Sequence, residues 1–287
     1  MPGRRTVNGF ELGPALLFCP ADRPDRFDKA AARADAVILD LEDGVAQADK
    51  PAARRALAEH PLDPDTTIVR LNPATTEDFA ADLAALAGTP YRTVMLAKAE
   101  SAADVDTVGD GIRVIALCET ARGVLAAPDI AAHPAVVALM WGAEDLVASL
   151  GGTASRDGDG RYRPLAIHAR SRVLLAAGAH GRAAIDSVYL DIADLDGLAA
   201  EVTDAAVSGF AATACIHPGQ VATIRSGYAP SASEIAAAEA LLAAAGNAAG
   251  VFRFEGKMVD EPVLRHARAV LRKSRVIRPG NPETKSL

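Results

Sequence analysis

The charged side chains best suited to chemistry gather just after short apolar runs. Asp40, Glu42 and Asp43 follow one run, Arg70 and Asn72 close another, and Lys98 and Glu100 follow a third. Glu119, then Glu144 and Asp145, then His217 complete the series. Brought to one cavity, these would form a ring of carboxylates with one arginine, one lysine and one histidine. Unpaired charge is costly to bury, so such groups must neutralise one another or bind something. The surplus of carboxylate points to a hard divalent cation. All-oxygen ligands without a Cys or His pair favour Mg²⁺ over zinc. Mg²⁺ takes one or two protein carboxylates and leaves its other positions to water and substrate. Glu119 and Asp145, after neighbouring apolar runs, are the pair that can approach one ion. Arg70 offers a planar fork suited to a carboxylate or a developing oxyanion.

Each of these residues also has a plainer reading. Asp40 reads best as part of a turn with caps and ion pairs. Glu42 and Asp43 either share that role or orient Arg70 and metal-bound water. Lys98 either serves the site or only pairs with Glu100 or Glu42. His217 fits a core or capping residue as well as a substrate contact. Cys19, Cys118 and Cys215 are widely spaced and odd in number, which favours small buried thiols over a disulfide frame, a zinc site or a nucleophile.

The elements that must position these residues alternate along the chain. Eight apolar runs have the length of buried parallel strands: Ala15–Cys19, Ala36–Leu41, Thr67–Leu71, Thr93–Lys98, Arg113–Cys118, Val136–Trp141, Ser187–Asp191 and Ala211–Ile216. Helical stretches lie between them. Asp22 and Pro24 open one that reaches Arg33, Ser101 opens Ala102–Val108, and Pro164 opens Leu165–Ala179 ahead of Gly181. Eight β/α units in order predict a (β/α)₈ TIM barrel over residues 14–230, with the site at the strand C-termini.

Two regions break the rhythm. The glycine-rich stretch from Gly151 to Arg163 predicts a mobile loop on the catalytic side. Residues 231–273 predict an appendage: a helix opened by the capping box Ser231 to Glu234, a hairpin over Val251–Asp260 turning at Gly256, and a helix from Pro262 to about Lys273. Residues 274–287 read as a disordered polar tail.

Of 287 residues, 50% are hydrophobic and 23% charged, with a formal net charge of −7. The acidic balance argues against bulk nucleic-acid binding. No apolar run is long enough to span a membrane, and the first thirteen residues lack the apolar core of a secretory signal. Reduced thiols fit a cytoplasmic protein.

Eight segments, in order, resemble the citrate lyase β-subunit-like family within the HpcH/HpaI aldolase superfamily. They are Leu17–Arg23, Val37–Val45, Val69–Asn72, Val94–Ser101, Glu119–Gly123, Trp141–Leu146, Ile216–Pro218 and Phe254–Pro262. The chain is most similar to stand-alone mycobacterial-type members rather than to the subunit of a citrate lyase complex. The resemblance implies Glu119 and Asp145 as Mg²⁺ ligands and Arg70 on the substrate's oxygens. It implies the backbone amides of Ala143, Glu144 and Asp145 on a keto-acid carboxylate, with Ile216 and His217 along the substrate path. Phe18, Arg26 and Lys29 fall where the family contacts coenzyme A. Asp260 matches a catalytic aspartate delivered by a neighbouring subunit of a trimer. Two departures, Pro20-Ala21-Asp22 for Pro-Gly-Asn and Leu96-Ala97-Lys98 for Leu-Pro-Lys, bear on coenzyme A binding rather than on the metal. The implied activity is a Mg²⁺-dependent carbon–carbon lyase acting on a 3-hydroxyacyl-CoA and giving acetyl-CoA and a keto acid. Citramalyl-CoA, malyl-CoA and 3-hydroxy-3-methylglutaryl-CoA all fit. Two rivals remain: a pyruvate-type aldolase without coenzyme A, and a subunit dependent on an acyl carrier protein.

Overall fold

The structure is a computed structural model that describes residue 10, residues 12–246 and residues 250–276. Its strands are β1 (Ala15–Pro20), β2 (Ala36–Asp40), β3 (Thr67–Leu71), β4 (Thr93–Leu96), β5 (Arg113–Cys118), β6 (Val136–Trp141), β7 (Ala183–Asp186) and β8 (Ala212–Cys215). They pair in parallel in sequence order, and β8 returns to β1 to close the barrel.

Side chains alternate across each strand, which divides the apolar residues into two layers. Leu16, Ile38, Ile68, Met95, Ile115, Leu117, Met140 and Ile185 fill the barrel interior, with Phe18 packed on top of them. Leu17, Leu39, Val69, Leu96, Leu139 and their neighbours face the surrounding helices. The same parity carries polar residues inward at the upper rim. Asp40 on β2 and Arg70 on β3 are register partners, one step of two beyond Ile38 and Ile68.

Helices α1 (Phe27–Ala31), α2 (Lys50–Glu59), α3 (Glu77–Ala87), α4 (Ala102–Asp106), α5 (Ala121–Ala132), α6 (Ala143–Ser149), α7 (Pro164–Ala179), α8 (Leu195–Ser208) and α9 (Val221–Tyr228) belong to the barrel. The stretch from Pro24 begins as a 3₁₀ turn, Pro24–Arg26, so α1 is shorter than the sequence predicts. α4 opens with a complete Ser101/Asp104 capping box. α5 contains Pro128, which has no N–H to give the carbonyl four residues earlier. That carbonyl, Val124, instead accepts the Arg172 Nε–H from α7 at 2.8 Å, and Arg172 Nη2 reaches the Leu125 carbonyl at 2.6 Å.

Three sequence expectations are corrected. The seventh strand is β7, not Ser187–Asp191. Ala183–Ile185 is buried and pairs with its neighbours, whereas Leu190 is 53% exposed. Val188-Tyr189-Leu190 has strand-like composition but forms the loop above the barrel, so the strand ends at Asp186 rather than Asp191. The Gly151–Arg163 stretch, expected to be mobile, is tied down by a bridge between Arg156 and Tyr162 and by side-chain contacts described below. The expected tail begins too early, because the last helix runs to Val276; residues 277–287 lie outside the described residues.

The appendage comprises α10 (Ala232–Ala245), an antiparallel hairpin of β9 (Phe252–Phe254) and β10 (Lys257–Val259), and α11 (Glu261–Val276). Ser231 and Glu234 form the predicted capping box. Glu255 and Gly256 turn the hairpin with φ of 46° and 79°. Lys273 on α11 donates to the Ala206 carbonyl on the last turn of α8 at 2.9 Å. That end of α8 is remote from the strand C-termini.

Candidate active site

The strand C-termini bring Asp40, Glu42, Arg70, Lys98, Glu119 and Asp145 together. Asp40 is buried and engaged on every side, as its plainer reading anticipated. Its Oδ1 accepts from Glu42 N–H and Arg70 Nε, at 2.9 and 2.6 Å. Its Oδ2 accepts from Gly44 N–H and Arg70 Nη2, at 2.9 and 2.6 Å. A Cβ on Gly44 would sit 2.2 Å from Asp40 Oδ2, so only glycine lets this turn close. Arg70 Nη1 lies 2.9 Å from Glu42, and the guanidinium carbon stands 4.9 Å from the Phe18 ring centre. An arginine carries five N–H groups, so these contacts leave part of its fork free for a ligand oxygen.

Glu42 also receives the Lys98 ammonium, which lies 3.0 Å from Asp43 and 3.5 Å from Asp145. Lys98 does not pair with Glu100, which instead accepts from Thr120 at 2.8 Å. Burial opposes the charge on Lys98, but the Glu42 hydrogen bond and surrounding carboxylates outweigh it and hold the ammonium above the ordinary lysine range. It is a fixed cation, not a base. β4 stops two residues before Lys98 because Lys98 adopts a left-handed backbone, φ 49°. This turns its N–H onto Glu119 Oε1 at 3.2 Å while the side chain reaches across to Glu42.

Glu119 is 3% exposed. Burial pushes its carboxyl up to about 8, and the neighbouring Asp145 charge adds to the shift, against the opposing pull of Arg70. A Cβ on Gly142 would lie 2.6 Å from Glu119 Oε2, so this glycine makes room for the carboxylate beside β6. A buried carboxylate set next to a second one fits a cation that relieves both. Among the described residues no group of three or more His, Cys, Asp or Glu is placed to hold a metal. A cation at this pair would therefore draw its other ligands from water and substrate, the pattern of Mg²⁺ rather than of a protein cage.

A buried network under the β2 and β3 loops escaped sequence reading. Lys50 Nζ donates to the carbonyls of Leu41 and Glu42 at 2.9 and 3.3 Å, and to Asn72 Oδ1 at 2.5 Å. Asn72 donates to Asp82, which pairs with Arg54. The network fixes the loop that carries Glu42. Beside it, cavities of about 420 and 280 Å³ adjoin at Pro73, Thr76 and Lys98.

The other sequence candidates are more scattered. Ala143 opens α6, so its amide and those of Glu144 and Asp145 belong to the first turn after β6. Ile216 and His217 follow β8. The Nδ1 atom of His217 accepts from Gly219 N–H at 3.1 Å, a capping role. Phe18 lies in the barrel mouth, whereas Arg26 and Lys29 are exposed on the turn and helix outside it. Asp260 is half-buried and caps α11, accepting from Val263 N–H at 3.3 Å. The three cysteines are buried. Burial pushes their thiols up, to about 11 at Cys19 and about 12 at Cys118 and Cys215, which removes them as nucleophiles.

Comparison with known proteins bears on what such a site does. A citrate lyase subunit beta-like protein of Mycobacterium tuberculosis is 58% identical over 91% of this chain and 96% of its own length. A (3S)-malyl-CoA thioesterase of Cereibacter sphaeroides is 35% identical over 92% and 95%. The crystal structure of the protein CitE from M. tuberculosis, in complex with magnesium, acetoacetate and coenzyme A, matches with a TM-score of 0.89 at 58% identity, covering 92% of this chain and 98% of that one. Residues 167–277 match the model of a C–C bond lyase of the TIM-barrel fold. Residues 15–218 match the HpcH/HpaI aldolase/citrate lyase model, and the chain belongs to that family.

Proposed function

We propose that this chain is a Mg²⁺-dependent carbon–carbon lyase that cleaves or forms a 3-hydroxyacyl-CoA, with acetyl-CoA and a keto acid on the other side of the reaction. The observation that carries the reading is the buried Glu119 carboxylate beside Asp145, with Arg70 and Lys98 held on the same rim. Glu119 and Asp145 hold the cation. Bound there, Mg²⁺ supplies Lewis acidity toward the hydroxyl and carboxylate oxygens of the substrate.

The chain's own residues do the rest. The amides of Ala143, Glu144 and Asp145 hold the keto-acid carboxylate. Arg70, braced by Asp40 and Glu42, turns its free N–H groups to the thioester oxygen as negative charge develops there. Lys98 keeps Glu42 and Asp43 neutralised. Asp260 gives the enolate its proton, or takes one from acetyl-CoA in condensation. Phe18, Arg26 and Lys29 receive coenzyme A, and Ile216 and His217 line the acyl path.

Asp260 acts from a neighbouring copy in a homotrimer, with residues 231–273 as the flap that completes the next site. Exposed apolar surface on both sides supports this. Val251 and Met258 on the hairpin are 65% and 69% exposed, and Leu190, Ile192, Leu195 and Ile216 on the catalytic rim are 37–53% exposed. Reduced cysteines favour a cytoplasmic setting.

The test is a panel of citramalyl-CoA, malyl-CoA and 3-hydroxy-3-methylglutaryl-CoA given to the purified protein, with acetyl-CoA and free coenzyme A resolved by chromatography. Acetyl-CoA release that stops in EDTA and returns with Mg²⁺ is expected. Free coenzyme A without acetyl-CoA would replace the lyase with a thioesterase. Undiminished cleavage in chelator would remove the metal.

A further inference from the structure

The segment between α6 and α7 is anchored at two adjacent residues. Ser155 is 2% exposed, and its hydroxyl donates to the Glu144 carboxylate. The Arg156 guanidinium lies 3.7 Å over the Tyr162 ring and 5.0 Å from the centre of the Tyr189 ring. It donates to the Gly160 carbonyl at 2.8 Å and grips both oxygens of Glu201 on α8.

These contacts continue into three strand ends. Tyr162 stands edge-on to Trp141, the last residue of β6, with ring centres 5.2 Å apart. Trp141 Nε1 donates to Asp186, the last residue of β7, at 2.6 Å. The Tyr189 carbonyl accepts from Gln220 Nε2 at 2.8 Å, while Gln220 Oε1 accepts the N–H groups of Ile216 and His217 after β8.

A surface segment with glycines at 151, 152, 158 and 160 has high backbone freedom, so holding it in one conformation costs entropy that an anchor must offset. Here the anchor is aimed at Glu144, the residue immediately before Asp145. Asp145 is the more exposed of the two candidate ligands, and its carboxylate lies 3.5 Å from the Lys98 ammonium. Its position therefore depends on the turn that carries it.

We propose that Ser155 and Arg156 are positioning residues: Ser155 holds the first turn of α6 through Glu144, and Arg156 holds Ser155 in place by tying the segment to Glu201 on α8, so that Asp145 meets the cation beside Glu119. The proposal rests on the Mg²⁺ reading above. Groups behind metal ligands typically matter by about 10–100-fold in metal affinity.

The test uses the full-length protein and two readouts besides turnover. Mg²⁺ affinity is measured by calorimetry and by the fluorescence of Trp141, the single tryptophan. Thermal melting is followed in chelator. Ser155→Ala and Arg156→Lys are expected to weaken Mg²⁺ binding about tenfold or more, with melting temperatures close to wild type. Asp159→Asn, at the exposed tip of the same segment, should leave affinity unchanged. Unaltered Mg²⁺ affinity in both positioning variants, with or without a lower melting temperature, would overturn the proposal and leave the segment a purely structural connection. Wild-type protein that takes up no Mg²⁺ in calorimetry would instead defeat the metal reading, and this inference with it.

Discussion

Replacing Glu119 by glutamine should make the metal-free protein more stable while destroying its affinity for Mg²⁺. Raising a carboxyl from 4.5 to about 8 by burial and by the neighbouring Asp145 corresponds to at most about 5 kcal/mol when fully ionised. At pH 7 the group is still largely protonated in the fold, and the linkage between folding and proton binding reduces the cost to roughly 3 kcal/mol. The direction is fixed by which form the fold prefers. The folded value lies above the unfolded one, so the neutral acid is favoured in the native state. Its stabilising contribution is complete below about pH 4.5 and is lost as pH rises through about 8. Glu119→Gln removes that slope. Urea unfolding in EDTA at several pH values between 5 and 8.5 should therefore give wild-type and variant curves that diverge, with the variant ahead at the alkaline end. In Mg²⁺ the order should reverse, because the ionised carboxylate is the form that binds. Parallel curves in EDTA, with no divergence toward high pH, would refute the reasoning.

The remaining expectations are more direct. Arg70→Lys keeps the charge but cannot reproduce the paired bonds to Asp40, so turnover of the thioester should fall on the order of 10²-fold or more; near wild-type kcat would make Arg70 merely structural. Asp260→Asn should retain Mg²⁺ and thioester binding and lose most turnover. Mixing it with Glu119→Gln under subunit exchange should restore some activity, and no recovery after verified exchange would place the flap on its own barrel. Arg172→Ala should cost about 1–2 kcal/mol by unpairing the Val124 carbonyl that Pro128 leaves without its helical donor and by losing the bond to the Leu125 carbonyl. Calorimetry should show a melting temperature lowered by a few degrees, and an unchanged value would mean water replaces the guanidinium.

The barrel was legible because eight buried strands leave eight apolar runs, and because two-residue alternation carries Asp40 and Arg70 to the same inner rim. β7 was misplaced because Ala183-Ala184-Ile185 is short and alanine-rich, while Val188-Tyr189-Leu190 has the composition of a strand without its burial. The charged residues of the site were legible by type and by their place after strands. Their pairing was not: Lys98 meets Glu42 rather than Glu100 from a left-handed backbone that the local sequence does not signal. Lys50, Asn72 and Asp82 lie far apart in sequence, and nothing in their spacing foretells a buried network. The glycine-rich segment after α6 carried a clear flexibility signal, which Ser155 and Arg156 override through partners on α6 and α8, and Tyr162 through Trp141 on β6.

Lys98 sets a limit on attempts to make this protein hardier. Its left-handed backbone is a conformation that glycine or asparagine adopts more comfortably, so any scheme that ranks positions by local preference will offer one of them there. Such a change relaxes the chain and leaves the amide on Glu119 in place. It also deletes the ammonium that Glu42, Asp43 and Asp145 share, leaving Glu42 to Arg70 alone and Asp43 and Asp145 without that counter-charge. At this one position, comfort of the polypeptide and competence of the catalyst are opposed.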